Sequence, residues 1–159
     1  MVTITIVCIG KCKEKYWREA CAEYAKRLTG FCRFSIVELE ESRVPERASA
    51  AQIDQALQEE GKRILSKAGD AVLVSLCIEG KELSSPDLSK TMQKMTVDGI
   101  SKICFAIGGS WGLSEEVKRA SRWKLSMSPM TFPHQLARVM LCEQIYRAFQ
   151  IAQDGKYHK

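Results

Sequence analysis

A chain of 159 residues, 45% apolar and 27% charged, holds one globular domain with a buried core, which excludes a disordered or fibrous protein and leaves no room for a second domain. No apolar run approaches the ~20 residues of a membrane span, and Met1-Val-Thr-Ile-Thr5 lacks the charged segment and cleavage site of a secretion signal, so a soluble, cytoplasmic protein with no membrane partner is expected. Lys and Arg number 24 against 19 acids, and the net charge of +5 lies at one end: residues 1–116 carry 16 basic and 17 acidic groups, residues 117–159 eight basic and two acidic.

Val2–Ile9 alternates β-branched residues and reads as a strand. Glu14–Leu28 places Trp17, Cys21, Tyr24, Ala25 and Leu28 at helical spacing, with Gly30 where a C-cap belongs. Phe34–Leu39 reads as a second strand, and Glu46–Lys67 as a helix with Ile53, Leu57, Ile64 and Leu65 on its apolar face. Ala71–Ile78 is a continuous apolar run, expected to be a strand buried on both faces. Ser85-Pro86-Asp87 opens a helix, with a capping hydroxyl and proline at the first helical position, that stops at Asp98-Gly99. Lys102–Ile107 is the next buried strand, followed by Gly108-Gly109-Ser110-Trp111-Gly112 and a short helix opened by Ser114-Glu115-Glu116. Trp123–Met127 reads as a short strand, Ser128–Phe132 as a loop, and Pro133 to about Gln153 as the longest helix. This alternation predicts an α/β fold, a mostly parallel sheet with helices on both faces. Ligands of such sheets bind at the carboxyl ends of strands, here the loops 78–84, 108–113 and 128–132.

The localised basic surface suits a polyanion such as nucleic acid, with a merely solvated face as the alternative. Seven scattered cysteines, mostly in apolar stretches, fit reduced core thiols; with no C-x-x-C and two histidines, no metal site is expected. Gly108, Gly109 and Gly112 allow close backbone approach to a ligand, yet they match neither a dinucleotide fingerprint nor a P-loop. Residues 125–134 form a proline-stiffened loop whose hydroxyls and backbone groups can hold a polar ligand. His134 is placed to be a base, although capping or packing is the more ordinary role. Leu136, Val139, Met140, Ile145, Tyr146 and Phe149 exceed what one packing stripe needs, which points to a partner helix beyond the core.

Four blocks carry a resemblance: Phe105-Ala-Ile-Gly-Gly-Ser-Trp-Gly-Leu-Ser114, Leu125-Ser-Met-Ser-Pro-Met-Thr-Phe-Pro-His-Gln-Leu-Ala-Arg138, Glu143-Gln-Ile-Tyr-Arg-Ala148 and Tyr157-His158-Lys159. The chain resembles, along its whole length, the α/β-knot (SPOUT-type) methyltransferases that modify N3 of a pseudouridine in 23S ribosomal RNA. Lys156 stands where many members have proline, a departure that touches tail geometry more than chemistry. The resemblance implies a C-terminal trefoil knot, a homodimer, and an S-adenosylmethionine site made by Leu76, Gly108, Gly109 and the run Met127, Ser128, Pro129, Met130, Thr131 and Phe132. It also implies catalytic roles in the last helix and tail.

The chemistry fits that implication. N3–H of pseudouridine is protonated at neutral pH, so transfer needs the proton removed or the anion stabilised by cations. His158 is the candidate base, Arg147 and Lys159 the cationic stabilisers, and Tyr157 a stacking or hydrogen-bonding group. Two other classes compete: a non-catalytic ribosome-associated protein with the same basic surface, and a flavin- or nucleotide-dependent oxidoreductase.

Overall fold

The computed structural model describes residues 1–157; His158 and Lys159, named above as base and cation, lie outside the described residues. Five strands, β1 (Thr3–Ile9), β2 (Arg33–Leu39), β3 (Val72–Glu82), β4 (Lys102–Ile107) and β5 (Trp123–Ser126), alternate with five helices. These are α1 (Lys15–Leu28), α2 (Ala50–Ala68), α3 (Ser85–Val97), α4 (Glu115–Ala120) and α5 (His134–Ala152). The strands form one sheet in the order β2-β1-β4-β3-β5, with every neighbouring pair parallel.

The two-residue period of the strands decides which helix covers which face. Ile4, Ile6 and Cys8 of β1 and Ile103, Phe105 and Ile107 of β4 point into one core with α1, α3 and α5. Val7, Ile9, Cys104 and Ala106, the residues between them, point into the other core, closed by α2 and α4. Both faces are covered, as the uninterrupted apolar strands require. Among the described residues no helix is long and apolar enough to cross a membrane.

Several boundaries differ from the sequence expectation, each for a local reason. Helix α2 starts at Ala50 rather than Glu46 because Ser49 and Gln52 form a reciprocal capping box: Gln52 N–H donates to Ser49 Oγ at 3.2 Å and Ser49 N–H to Gln52 Oε1 at 2.8 Å. Gly30 is not a left-handed cap; α1 ends at Thr29 in a right-handed conformation, and the Phe31 and Cys32 amides both bond the Leu28 carbonyl. The cap of α3 is Ser84, one residue earlier than expected, its hydroxyl accepting from the Asp87 amide. Helix α5 is 19 residues long, but so is α2.

The largest departure is at β3. Its ladder with β5 breaks after Leu76 and resumes at Lys81, so that Leu125 is faced by both residues. Cys77–Gly80 arch out between them, and Ile78, expected in a buried strand, is 56% exposed. That arch forms one wall of the site.

Candidate active site

A cavity of about 390 Å³ opens at the carboxyl ends of β3, β4 and β5, within the range of small-molecule sites. Three segments build it: the Leu76–Glu79 arch, the Ile107–Leu113 turn and the Ser126–Phe132 loop, with His134 and Ala137 of α5 closing one side. Of the residues expected to hold a cofactor, Leu76, Gly108, Gly109, Met127, Ser128, Met130, Thr131 and Phe132 line it. Pro129 does not; it sits exposed on the outside of its loop.

The glycine turn is held by its own backbone. Gly112 N–H donates to the Gly109 carbonyl at 3.1 Å, and Gly112 adopts φ +83°, which glycine alone takes without strain. A Cβ on Gly108 would lie 2.2 Å from the Gly112 carbonyl oxygen. Gly108 is therefore required by the turn folding back upon itself, a cause upstream of any ligand. In the second loop, Ser126 Oγ donates to the Ser128 carbonyl at 3.2 Å and the Met130 amide donates to Ser128 Oγ at 3.0 Å. Two prolines and these local bonds give the loop one shape.

One ion pair stands at the cavity. Lys118 Nζ of α4 meets Glu79 Oε1 of the arch at 2.5 Å and Glu115 at 3.6 Å. The hydrogen bond from Lys118 holds the Glu79 carboxyl below its ordinary value, and the same bond raises Lys118. The lining thus combines apolar side chains, hydroxyls, open backbone and one charge of each sign.

Helix α5 is anchored beside the site by Arg138, which is 3% exposed. Its Nη1 bonds Glu38 Oε2 at 2.7 Å and its Nη2 bonds the Gly10 carbonyl at 3.2 Å, tying α5 to the ends of β1 and β2. Burial works against the Glu38 charge, but Arg138 and the Cys12 amide outweigh it and keep the carboxyl below its usual value. Burial pushes the neighbouring Cys8 thiol up to about 12, so it is an inert core group. Among the described residues all cysteines are free, and no cluster of His, Cys, Asp and Glu could hold a metal.

The structure places Arg147 and Tyr157 away from this cavity within one chain. Arg147 pairs with Glu143 one turn earlier, Nη2 to Oε1 at 2.7 Å. After α5, Asp154 takes φ 51° and the Gly155 amide bonds the Gln150 carbonyl at 2.7 Å, turning the tail back along the helix. Tyr157 then donates to Glu143 Oε2 at 2.8 Å, meets Tyr146 edge-on at 4.9 Å, and lies under the Arg147 guanidinium at 4.7 Å. Burial and the bond to Glu143 raise the Tyr157 hydroxyl, so it is a donor here and no base. Glu143 follows His134 by nine residues, two and a half turns, which puts the tail cluster ~14 Å along α5 and on the opposite side from the cavity.

Sequence reasoning gave no role to Glu79, Lys118 or Trp111, all of which line the cavity. The Glu79–Lys118 pair joins an arch to a helix 39 positions later, and no periodicity encodes such a meeting. Trp111 carried a usable signal: a large aromatic amid glycines, with no apolar stripe to join.

Comparison with known proteins agrees with this geometry. A family model described as a predicted SPOUT methyltransferase matches residues 2–158. A Bacillus pumilus protein named ribosomal RNA large subunit methyltransferase H is 46% identical over 159 residues, covering 99% of this chain and 100% of its own. A Leuconostoc mesenteroides protein of the same name is 48% identical over 160 residues, with 99% and 100% covered. Among solved structures, a probable methyltransferase from Bordetella pertussis superposes with TM-score 0.58 at 11% identity, covering 93% of this chain and 96% of that one. The tRNA (m1G37) methyltransferase of Aquifex aeolicus gives 0.56 at 11% identity, covering 92% and 69%. At such identities these two speak for the fold alone. With a family model spanning almost every residue and full-length relatives near half identical, this chain belongs to the SPOUT methyltransferase family.

Proposed function

We propose that this chain methylates large-subunit ribosomal RNA at N3 of a pseudouridine, using S-adenosylmethionine, in the cytoplasm and as a homodimer. The observation that carries the reading is the cavity: three strand-end loops converge on one space, and eight of the residues expected to hold the cofactor line it. SPOUT methyltransferases use S-adenosylmethionine, and the lining suits that molecule. Leu76, Ile107 and Phe132 offer apolar surface for a purine, Ser126, Ser128 and Thr131 offer hydroxyls, and Glu79 with Lys118 complements an amino-acid zwitterion. The names of the relatives supply the RNA class. The family's trefoil knot is part of the proposal; in its support, β5 passes the arch so closely that a Cβ on Gly80 would lie 2.7 Å from the Leu125 backbone.

When bound, the cofactor supplies an electrophilic methyl group on a sulfonium. The chain must then turn N3 into a nucleophile. His158 takes the N3 proton, Arg147 and Lys159 stabilise the resulting anion, and Tyr157 orients the base by stacking or a hydrogen bond. Since Tyr157 and Arg147 lie across α5 from their own chain's cavity, these groups are proposed to serve the partner's site. The surplus apolar residues of α5 support a partner: Leu136 and Met140, one turn apart, are half-buried and belong to neither core.

The test is direct. Purified protein, labelled S-adenosylmethionine and ribosomes from cells lacking this protein should give methylated 23S RNA, with the label mapping to N3 of one pseudouridine. Incorporation at a different atom or into transfer RNA would refute the substrate assignment. Tight cofactor binding without transfer would favour the non-catalytic ribosome-associated reading.

A further inference from the structure

We propose that Trp111 is a stacking platform, holding an unpaired base of the RNA substrate at the mouth of the cofactor cavity. This rests on the reading of the chain as an RNA methyltransferase and adds to it a residue and a contact. Three large apolar side chains rim the cavity while staying in solvent: Ile78 at 56% exposure, Trp111 at 52% and Met130 at 72%. They come from three different segments, the arch, the glycine turn and the β5–α5 loop. Single exposed apolar residues need no explanation, but three converging on one opening mark a surface meant to be covered.

The backbone fixes Trp111 more firmly than its side-chain contacts do. It occupies the third position of the Gly109–Gly112 turn, closed by the hydrogen bond at 3.1 Å. Gly108 lies so close to Gly112 that a Cβ on it would fall 2.2 Å from the Gly112 oxygen, which shows how tightly the turn folds back. Yet among the described residues the indole has no aromatic or cationic partner. An aromatic ring on a rigid turn, unpartnered and half exposed, is pre-organised to receive a flat ligand.

The reaction explains why a base is that ligand. N3 lies on the pairing edge, so the nucleotide must leave its pair and its stack before the methyl can reach it. An aromatic face replaces the lost stacking for any base, target or neighbour. Charge separates this occupant from a second protein copy. Lys124 of β5, whose charge acts on Cys77 and Glu79 of the arch, is exposed and has no ion-pair partner among the described residues. The same holds for Arg119 on α4 and Arg122 between the two elements, farther from the rim. The centre of a protein interface sheds charge, whereas a phosphate backbone gathers it.

The experiment compares the parent with Trp111→Ala and Trp111→Phe. Transfer from labelled S-adenosylmethionine is measured against the concentration of ribosomes prepared from cells lacking this protein. S-adenosylhomocysteine affinity is measured by calorimetry and mass by sedimentation. Losing one base stack should raise the half-saturating ribosome concentration ~10-fold or more in Trp111→Ala, while Trp111→Phe keeps most of the parent's value. Cofactor affinity should stay within about twofold and the mass unchanged. An unaltered ribosome dependence would overturn the proposal. A matching fall in cofactor affinity would overturn it in favour of a cofactor cap, and a reduced mass in favour of a subunit contact. A parent inactive on ribosomes would overturn the functional reading itself, and this proposal with it, which a failure confined to the variants would not.

Discussion

Gly108→Ala is the smallest substitution that tests the site. The added Cβ would sit 2.2 Å from the Gly112 oxygen, 2.4 Å from its carbonyl carbon and 2.9 Å from its Cα, and all three atoms are backbone. A real contact needs at least 3.0 Å, so the turn must open by roughly 0.8 Å, with no flexible side chain to absorb the strain. Backbone groups aimed at a ligand lose hydrogen bonds over such a shift, at about 1–3 kcal/mol for each one left unmade. Cofactor affinity should therefore fall ~10- to 100-fold for a single lost bond, at 1.4 kcal/mol per decade. The same strain should lower the melting temperature by a few degrees, since about 1–2 kcal/mol shifts a domain of this size by roughly 2–8 °C. Gly109→Ala is the control: its Cβ would meet the Ile9 side chain at 3.1 Å and Glu41 Oε1 at 3.5 Å, both of which can yield. Calorimetry with S-adenosylhomocysteine and differential scanning fluorimetry give both quantities. Unchanged affinity in Gly108→Ala, with the melting temperature lowered, would show that the turn opens without consequence and remove the glycine loop from the site.

Two further outcomes follow from charge. Replacing Arg122 and Lys124 by alanine should weaken ribosome binding and reduce the slope of log affinity against log salt by about 1.5, with cofactor affinity unchanged; equal slopes would place both residues outside the RNA footprint. Glu60 is 5% exposed and burial raises its carboxyl, only partly offset by the Ser42 amide at 2.9 Å, so its ionised form disfavours the fold. A raised carboxyl weakens stability above its folded value and ceases to do so once pH falls below the unfolded one. Glu60→Gln should therefore raise the melting temperature at pH 7–8 and lose that advantage near pH 4; a constant gain across this range would refute the linkage.

What the sequence made legible was whatever lies within one period or one motif. Ile4, Ile6 and Ile103 against Val7, Ile9 and Cys104 declare both sheet faces by alternation alone, and strand-end loops follow from parallel topology. The arch of Cys77–Gly80 was not legible, because its cause is a strand that pairs twice with Leu125 on either side of a gap. An apolar run such as Val-Ser-Leu-Cys-Ile reads as buried until the register is known. The Arg138–Glu38 pair spans 100 positions and gives no local sign either. Gly30 shows the converse error: the residue fits a cap, but the carbonyl of Leu28 takes two amides first and ends the helix without it.

The tail raises the question of which site it serves. Helix α5 carries the cavity wall at His134 and Ala137, and the tail cluster at Glu143, Tyr146 and Arg147. These lie half a turn apart around the helix and ~14 Å apart along it. Tyr157 is bound to Glu143 on the tail face of the helix. With Tyr157 seated there, the described end of the tail lies on the side of α5 away from its own chain's cavity. In the proposed dimer, a two-fold axis beside α5 would set each chain's tail face toward the other chain's loops. Deleting Tyr157, His158 and Lys159 should then abolish transfer while sparing cofactor affinity and dimer mass. Mixing the deleted chain with Gly108→Val, whose branched side chain the turn has no space to hold and which should abolish cofactor binding, provides the decisive case. If the tail acts in trans, each heterodimer has one complete site, joining the sound loops of the deleted chain to the intact tail of the other. Statistical pairing makes about half the dimers mixed, so about a quarter of the parent's activity per chain should return from two inactive proteins. If exchange is shown by mass and the mixture stays inactive, the tail serves its own subunit, and Tyr157 must leave Glu143 before it can act.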